Sequence, residues 1–235
     1  MEVIHLISGP RNISTAMMYS FAQRTDCKAI DEPFYGYYLL NNGLNHPGRD
    51  GIIASMSTDP DEIWKSIVEV PQLCSECFVK NMAHHIKDLD PLKFLGYRTI
   101  FLVRNPALIL RSYSKVLENP ILDDIGIKQQ FELFEVLRNN QVAVVDSDDI
   151  LKDPKRTLEK LCRKLDIEFQ PSMLEWAAGP RIFDGVWAQF WYDSVHRSTG
   201  FKRPSISTGE QMIQEHSSTY NEAMKYYSNL SQFKI

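Results

Sequence analysis

Short, mainly apolar runs alternate along the chain with longer segments in which apolar residues recur at helical spacing. Three such runs, each ended by polar or turn-forming residues, predict buried strands at 3–7, 99–103 and 141–145. Two less regular runs predict further strands at 28–31 and 76–80. The chain therefore carries five candidate strands, each separated from the next by enough residues for a helix.

The segments between the strands carry the apolar spacing of helices. Asn105 is suited to cap one of them, and Pro106 is a favoured first helical residue. The segment 35–40 fits a helix or a strand. Helices are predicted at 12–24, 60–70, 106–118, 128–139, 154–165 and 209–230. Strands alternating with helices predict an α/β fold with a mainly parallel central sheet flanked by helices, whose ligands bind at the carboxyl ends of the strands.

Composition sets the class of protein. The 235 residues, 43% of them hydrophobic, suit a single domain over 1–235, with 180–235 as a lid or substrate segment. The net charge of −4 argues against a general nucleic-acid or anionic-membrane surface. Four cysteines form no disulfide framework, no run of 18 apolar residues occurs, and the first residues lack a signal-peptide pattern. We expect a cytoplasmic protein without a metal site; nothing sets its oligomeric state.

The segment 8–15 (SGPRNIST) joins the first strand to the first helix. The unpaired amides and dipole of a helix N-terminus favour an anion, and Arg11 adds a fixed positive charge. Ser14 and Thr15 add hydroxyl donors. The Walker sequence would need Gly at 14 and Lys at 15, and both are absent. From this loop alone, a phosphate site and an ordinary turn with capping serines are equally supported.

A second candidate anchor follows the strand at 99–103. Arg104 stands at its end, where a guanidinium is well placed to hold a phosphate, and Ser112 lies eight residues later. Both meet one phosphate only if the Arg104 side chain lies back along the helix. Taken alone, the pair is better explained as a surface salt bridge and a helix serine than as a phosphate site.

Together these motifs resemble the sulfotransferases that use 3′-phosphoadenosine-5′-phosphosulfate (PAPS). The segment 101–106 (FLVRNP) with Ser112 is similar to the family's 3′-phosphate motif, and 10–15 (PRNIST) to its 5′-phosphosulfate loop. The segment 144–154 resembles its acidic turn after a strand. More narrowly, the chain is similar to bacterial sulfotransferase-like proteins related to plant proteins called branched-chain aminotransferase-like.

The resemblance implies a three-layer fold of the P-loop-NTPase type. It also implies PAPS as donor, and donor contacts through 11–15 (Arg11, Asn12, Ile13, Ser14, Thr15), Arg104 and Ser112. It calls for no metal and implies a small-molecule or carbohydrate hydroxyl as acceptor. Ile13 stands where the family has Gly. Since β-branched residues disfavour positive φ, we expect the loop backbone to differ from the family's.

Two candidates for the base that takes the acceptor's proton also come from the resemblance. Glu32 matches a catalytic Glu that several carbohydrate and bacterial members carry after the corresponding strand, and we favour it slightly. Cytosolic members instead use a His two residues after a strand-end Lys. Here Met82 holds that place after Lys80, so the alternative is His84 or His85. Lys80 itself is a candidate to neutralise the leaving phosphate or the acceptor.

The aromatic and basic stretch 187–204 is a candidate cover for the donor. The family closes over the 3′-phosphate with an R-K-G loop, and 196–201 is the matching segment, although its spacing differs. Its candidate contacts are Arg197, Ser198, Thr199 and Gly200.

Two other functions remain open from the sequence. A phosphotransferase using ATP and Mg²⁺ would fit a P-loop-like site, although the Walker lysine is missing. A nucleotide-binding protein that has lost catalysis would keep the donor contacts and no longer need a base.

Overall fold

The computed structural model describes residues 2–69, 74–113, 119–202 and 215–235. Its central sheet has five strands in the order β2-β3-β1-β4-β5, and every neighbouring pair is parallel. The strands are β1 (Glu2–Ser8), β2 (Cys27–Asp31), β3 (Glu76–Met82), β4 (Arg98–Val103) and β5 (Val142–Asp146). The five predicted strands are thus confirmed, and the sheet is parallel throughout.

Helices occupy the connections. They are α1 (Ser14–Phe21), α2 (Tyr35–Asn42), α3 (Arg49–Ser55), α4 (Pro60–Glu69), α5 (Pro106–Tyr113), α6 (Leu122–Ile125), α7 (Ile127–Leu137), α8 (Ser147–Lys152), α9 (Pro154–Lys164), α10 (Ala188–Trp191), α11 (Asp193–His196) and α12 (Ser217–Ser231). The ambiguous segment 35–40 is helical. The predicted ends 114–118 and 209–214 lie outside the described residues, as does residue 70.

Alternation along the strands divides the core into two layers. Val3 and Ile7 of β1 pack on the face covered by α4, α7 and α12. Ile4 and Leu6 pack on the opposite face, beneath α1 and α9. This is the three-layer arrangement expected when a parallel sheet is buried on both sides.

Because all strands run the same way, their carboxyl ends meet at one edge of the sheet. Ser8, Asp31, Met82, Val103 and Asp146 are the residues that end them. The loops after β1, β2, β3 and β4 therefore gather side chains that are far apart in sequence. No helix in the described part of the chain has the length and apolarity needed to span a membrane.

Candidate active site

A cleft of about 780 Å³ opens at the carboxyl edge of the sheet. Its walls come from the β1–α1 loop, the ends of β2 and β3, helix α5 and the C-terminal segment up to residue 202. All the site residues predicted from the sequence line this cleft except Thr199. The structure thus brings together side chains that the sequence distributes over almost 190 positions.

The β1–α1 loop holds two residues other than glycine in the left-handed region, Arg11 (φ 57°) and Ile13 (φ 50°). Ile13 adopts positive φ although β-branched residues disfavour it. Such a conformation costs free energy and persists only where the surroundings hold it. Here Asn12 Nδ2 donates to the Leu102 carbonyl of β4, and Ile13 O accepts the first helical hydrogen bond, from Met17 N at 3.0 Å. That this loop differs from the family's backbone stays a prediction.

The N-terminus of α1 is open to a ligand. No side chain caps it in the described structure, so its first amide groups point into the cleft without a partner side chain. An anion placed there would gain both these donors and the helix dipole. The loop thus offers backbone donors suited to an anion without a Walker lysine.

The second anchor lies beside this loop. Arg11 Nε donates to Ser112 Oγ at 2.9 Å, and Arg104 Nη1 donates to the Arg11 carbonyl at 2.6 Å. The Arg104 side chain is only 12% exposed, with Nε 4.0 Å from the Asp148 carboxylate. Arg11, Arg104 and Ser112 therefore form one cationic wall. Ser112 meets Arg11 directly, whereas the sequence paired it with Arg104.

The opposite wall of the cleft contains a buried network of charges. Lys80 Nζ donates to Glu32 Oε1 at 2.5 Å, to Asp31 Oδ1 at 3.0 Å and to the Tyr192 hydroxyl at 2.5 Å. Only 1% of the Lys80 side chain is exposed, so it is neither a solvated lysine nor an open cation in the cleft. Glu32 has φ 40°, and its amide donates to the Lys80 carbonyl at 2.9 Å.

Burial dominates the protonation of this network. It raises the pKa of Glu32 above its ordinary value, and the attraction of Lys80 opposes part of that rise. Burial alone would lower the pKa of Lys80, but Asp31 and Glu32 outweigh it and the pKa ends raised. One ammonium thus faces two carboxylates, and Glu32 is a carboxylate with a raised proton affinity.

The two histidines after β3 lie next to Glu32. His85 Nδ1 is 3.6 Å from Glu32 Oε2, and its ring stacks on Tyr35 with ring centres 4.4 Å apart. Burial, followed by the neighbouring His84, holds the pKa of His85 well below its ordinary value. Burial also lowers the pKa of His84 to about 3. Both imidazoles are therefore neutral at physiological pH.

The C-terminal segment covers the cleft from the side of α1. Among the described residues Arg197 pairs with Asp193, in an ion pair more than 70% exposed on both sides, which stabilises little. Ser198 and Gly200 also face the cleft. The Thr199 carbonyl accepts a hydrogen bond from Trp176 N at 3.2 Å, away from the cleft lining.

Sequence reasoning missed several residues of the site. Asp31, Tyr192, His46, Arg111 and Tyr113 either line the cleft or contact residues that do. Arg111 had a signal, since it precedes Ser112 on a helix already assigned to the donor. The only sequence signal for Tyr192 was its position in an aromatic stretch.

Comparisons with known proteins agree with this geometry. The family described as sulfotransferase domain matches residues 1–232. Two branched-chain-amino-acid aminotransferase-like proteins of Arabidopsis thaliana, numbers 2 and 1, are 37% and 38% identical over 87% and 86% of this chain. The chain spans only 37% of the length of each.

Solved structures agree at the level of the fold. The sulfotransferase from Alicyclobacillus acidocaldarius has a TM-score of 0.60 and 10% identity, with 100% of this chain and 97% of that chain covered. The sulfotransferase domain of the Synechococcus PCC 7002 olefin synthase has a TM-score of 0.57 and 16% identity, with 92% and 94% covered. The fold is therefore the P-loop-NTPase-like α/β fold of sulfotransferases, and the chain belongs to the sulfotransferase-domain family.

Proposed function

We propose that the protein transfers a sulfuryl group from PAPS to a hydroxyl group of a small-molecule or carbohydrate acceptor. The proposal rests on one observation, that two chemically different walls face each other across one cleft. One wall presents helix amides, Arg11 and Arg104 for an anionic donor. The other presents Glu32 with a raised pKa, beside neutral His85.

The donor's two phosphate positions map onto the cationic wall. The 5′-phosphosulfate fits the β1–α1 loop, where the amides of residues 13–15 and the dipole of α1 favour a negative charge. The 3′-phosphate fits between Arg104, Ser112 and the cover around Arg197. Guanidinium groups suit this task because they bind phosphate oxygens in pairs.

Transfer needs few groups beyond those that position the reactants. The acceptor oxygen attacks sulfur as the bond from sulfur to the phosphate oxygen breaks, and 3′-phosphoadenosine-5′-phosphate leaves with the charge it gains. Amides and guanidinium groups at the loop stabilise that charge because they are already oriented towards it. The acceptor's proton goes to a base on the opposite wall.

Glu32 is the proposed base. A base works best when its pKa approaches the working pH, and burial moves Glu32 in that direction. His85 is a poorer candidate because its pKa is lowered. Its Nδ1 lies 3.6 Å from the Glu32 oxygen that Lys80 leaves free, beyond hydrogen-bond distance.

The proposal is tested by calorimetric titration with 3′-phosphoadenosine-5′-phosphate in the absence of Mg²⁺. We expect binding that weakens at least about tenfold in Arg104→Ala, since a hydrogen bond to a charged group contributes about 1.5 to 3 kcal/mol. Arg156→Ala, on the exposed side of α9, is the matched control and should bind as the wild type does.

A parallel titration uses ATP with Mg²⁺. Binding of ATP with Mg²⁺, together with no binding of the bisphosphate, would refute PAPS as donor and favour a phosphotransferase. Binding of the bisphosphate with equal affinity in Arg104→Ala would refute the assignment of the 3′-phosphate position.

A further inference from the structure

We propose that Tyr192 is a positioning residue for the base. Its hydroxyl, which belongs to the segment that covers the donor, holds Lys80 in contact with both Asp31 and Glu32. The Glu32 carboxylate is thereby kept directed into the cleft. This inference rests on the proposed function for its catalytic meaning. The contacts themselves rest on the structure alone.

The Tyr192 hydroxyl sits at the centre of the buried network. It lies 2.8 Å from each oxygen of Asp31 and 3.4 Å from Glu32 Oε1. It accepts from Lys80 Nζ at 2.5 Å and from Trp187 Nε1 at 3.2 Å. The residue is only 4% exposed, so no bulk water replaces a contact that is lost.

The network has too few positive charges for its carboxylates. Lys80 is the cation in direct contact with both Asp31 and Glu32. An ammonium has three protons, and here each is committed, to Asp31, to Glu32 and to Tyr192. The hydroxyl proton supplies Asp31 with a further donor, as does Gly185 N at 3.2 Å.

Loss of the hydroxyl would change the balance between the two carboxylates. Asp31 would lose one of its donors, and Lys80 would then be drawn more strongly to Asp31. Glu32 would then keep less of the ammonium, which makes the ionised form of Glu32 less favourable in a buried site. The hydroxyl thus limits how far burial raises the pKa of Glu32.

Tyr192 also belongs to the element that covers the donor. Its carbonyl accepts from His196 N at 2.9 Å, within the turn that leads to Arg197. Arg197 and the Tyr192 hydroxyl therefore belong to one short piece of backbone, so the position of one constrains the position of the other.

Tyr19 provides a matched control that separates positioning of Glu32 from anchoring of the C-terminal segment. The Tyr19 hydroxyl donates to Asp184 Oδ2 at 2.6 Å and so fixes the same C-terminal segment to α1. In the described structure Tyr19 makes no hydrogen bond to Glu32 or Lys80 and lies outside the cleft lining. Tyr19→Phe removes an anchoring hydrogen bond of the same kind and leaves the base network intact.

The first test measures the pKa of Glu32 in the free protein by carbon NMR of side-chain carboxyl-labelled glutamate. Glu32→Gln assigns the signal by removing it. In Tyr192→Phe we expect the pKa of Glu32 to rise by about 1, because Glu32 then keeps less of the charged hydrogen bond from Lys80. In Tyr19→Phe we expect the wild-type value. An unchanged pKa in Tyr192→Phe, or an equal rise in both variants, overturns the inference.

The second test measures the pH dependence of sulfuryl transfer from PAPS. The rate falls on the acid side as the base is protonated, so Tyr192→Phe should move this limb to higher pH by the same amount as the NMR value. At a pH below the acid limbs of both variants, the kcat/KM of Tyr192→Phe should be about tenfold lower than that of Tyr19→Phe. A limb that stays in place overturns the positioning role. If no variant, wild type included, transfers sulfuryl groups while the NMR shift is present, the proposed function fails and the contact network stands.

Discussion

Gly9 is the residue of the β1–α1 loop at which a side chain does not fit. A Cβ added there would lie 2.1 Å from the carbonyl oxygen of Ile125, a backbone atom that cannot rotate away. We expect Gly9→Ala to lower the free energy of unfolding by about 2 to 3 kcal/mol, as overpacking does. It should also weaken binding of the bisphosphate, because the loop must shift. Urea unfolding and calorimetry check the two effects.

Gly51 provides the control for that substitution. It lies in α3, and a Cβ added there meets nothing within 4 Å. Alanine is the better helix former, so Gly51→Ala should raise the free energy of unfolding by about 0.5 to 1 kcal/mol. Similar losses in both variants would show that the Ile125 contact is not the cause.

His5 makes the protein sensitive to acid. It is fully buried beside Trp64, Phe94 and Tyr97, and burial lowers its pKa to about 3. The unfolded chain keeps the ordinary value of 6.5 and so takes up the proton first as the pH falls. Stability is therefore complete above about pH 6.5 and falls by about 1.4 kcal/mol per pH unit below it.

The variant His5→Phe tests this account. Phenylalanine suits the aromatic surroundings and does not titrate. Between pH 7.5 and pH 5.0, the wild type should lose about 2 kcal/mol more than the variant, measured by urea unfolding. Identical pH dependence in the two proteins would mean that His5 does not contribute, and would leave His84 and His85 as the buried groups responsible.

Individual residues of the site could be predicted only where a local pattern marked them. Arg11 and Ser14 follow a strand and open a helix, which is a pattern of neighbours in sequence. Tyr192 meets Asp31 across 161 residues, and nothing local to either position encodes that contact. The positive φ of Ile13 was also out of reach, because the contacts that hold it come from β4.

At the scale of elements, α12 is fixed to the sheet through one buried carboxylate. Asp146 ends β5, and its side chain accepts from Asp148 N at the start of α8 at 2.9 Å. The Tyr227 hydroxyl of α12 donates to its other oxygen at 2.6 Å, and Lys234 Nζ lies 3.5 Å away. One residue thus joins a strand, the following helix and the C-terminal helix.

The hydrogen bond between Tyr227 and Asp146 should make a measurable contribution to the free energy of unfolding. Tyr227→Phe should lower the free energy of unfolding by about 1 to 2 kcal/mol, because the acceptor is a buried carboxylate left with fewer donors. The control is Tyr226→Phe, next to Tyr227 on α12, where the ring packs against Phe131 of α7. It should change stability by about 0.5 kcal/mol or less. Thermal unfolding of both variants measures the difference, and equal losses would refute this account.

Helices and strands with regularly spaced apolar residues could be predicted from the sequence. Helices that form only through tertiary contacts could not. The strands and helix α9 show clear apolar spacing. The segment 35–40 (YGYYLL) is apolar on all sides, so the spacing of its apolar residues does not distinguish a helix from a strand. The structure shows that it is helical, as part of α2. Helices α10 and α11 have four residues each, too few to form without the packing that surrounds them.

For the whole molecule, the sequence predicted the class of fold but not the order of the strands. The alternation of strands and helices was enough for a parallel sheet. That β1 lies between β3 and β4, with β2 beyond β3, follows from pairing between distant segments. This order puts the β1–α1 loop between the end of β4, with Arg104, and the end of β3, with Lys80.

The place of Tyr192 late in the chain has a consequence for synthesis. Asp31, Glu32 and Lys80 leave the ribosome long before Tyr192, which follows Asp31 by 161 residues. At about 5 to 20 residues per second, the delay is roughly 10 to 30 s. Once Lys80 has also been added, 112 residues before Tyr192, the nascent chain holds two carboxylates and one ammonium without the hydroxyl that contacts them. The charge network is therefore completed well after the five strands have been synthesised, because β5 ends at Asp146, before Tyr192.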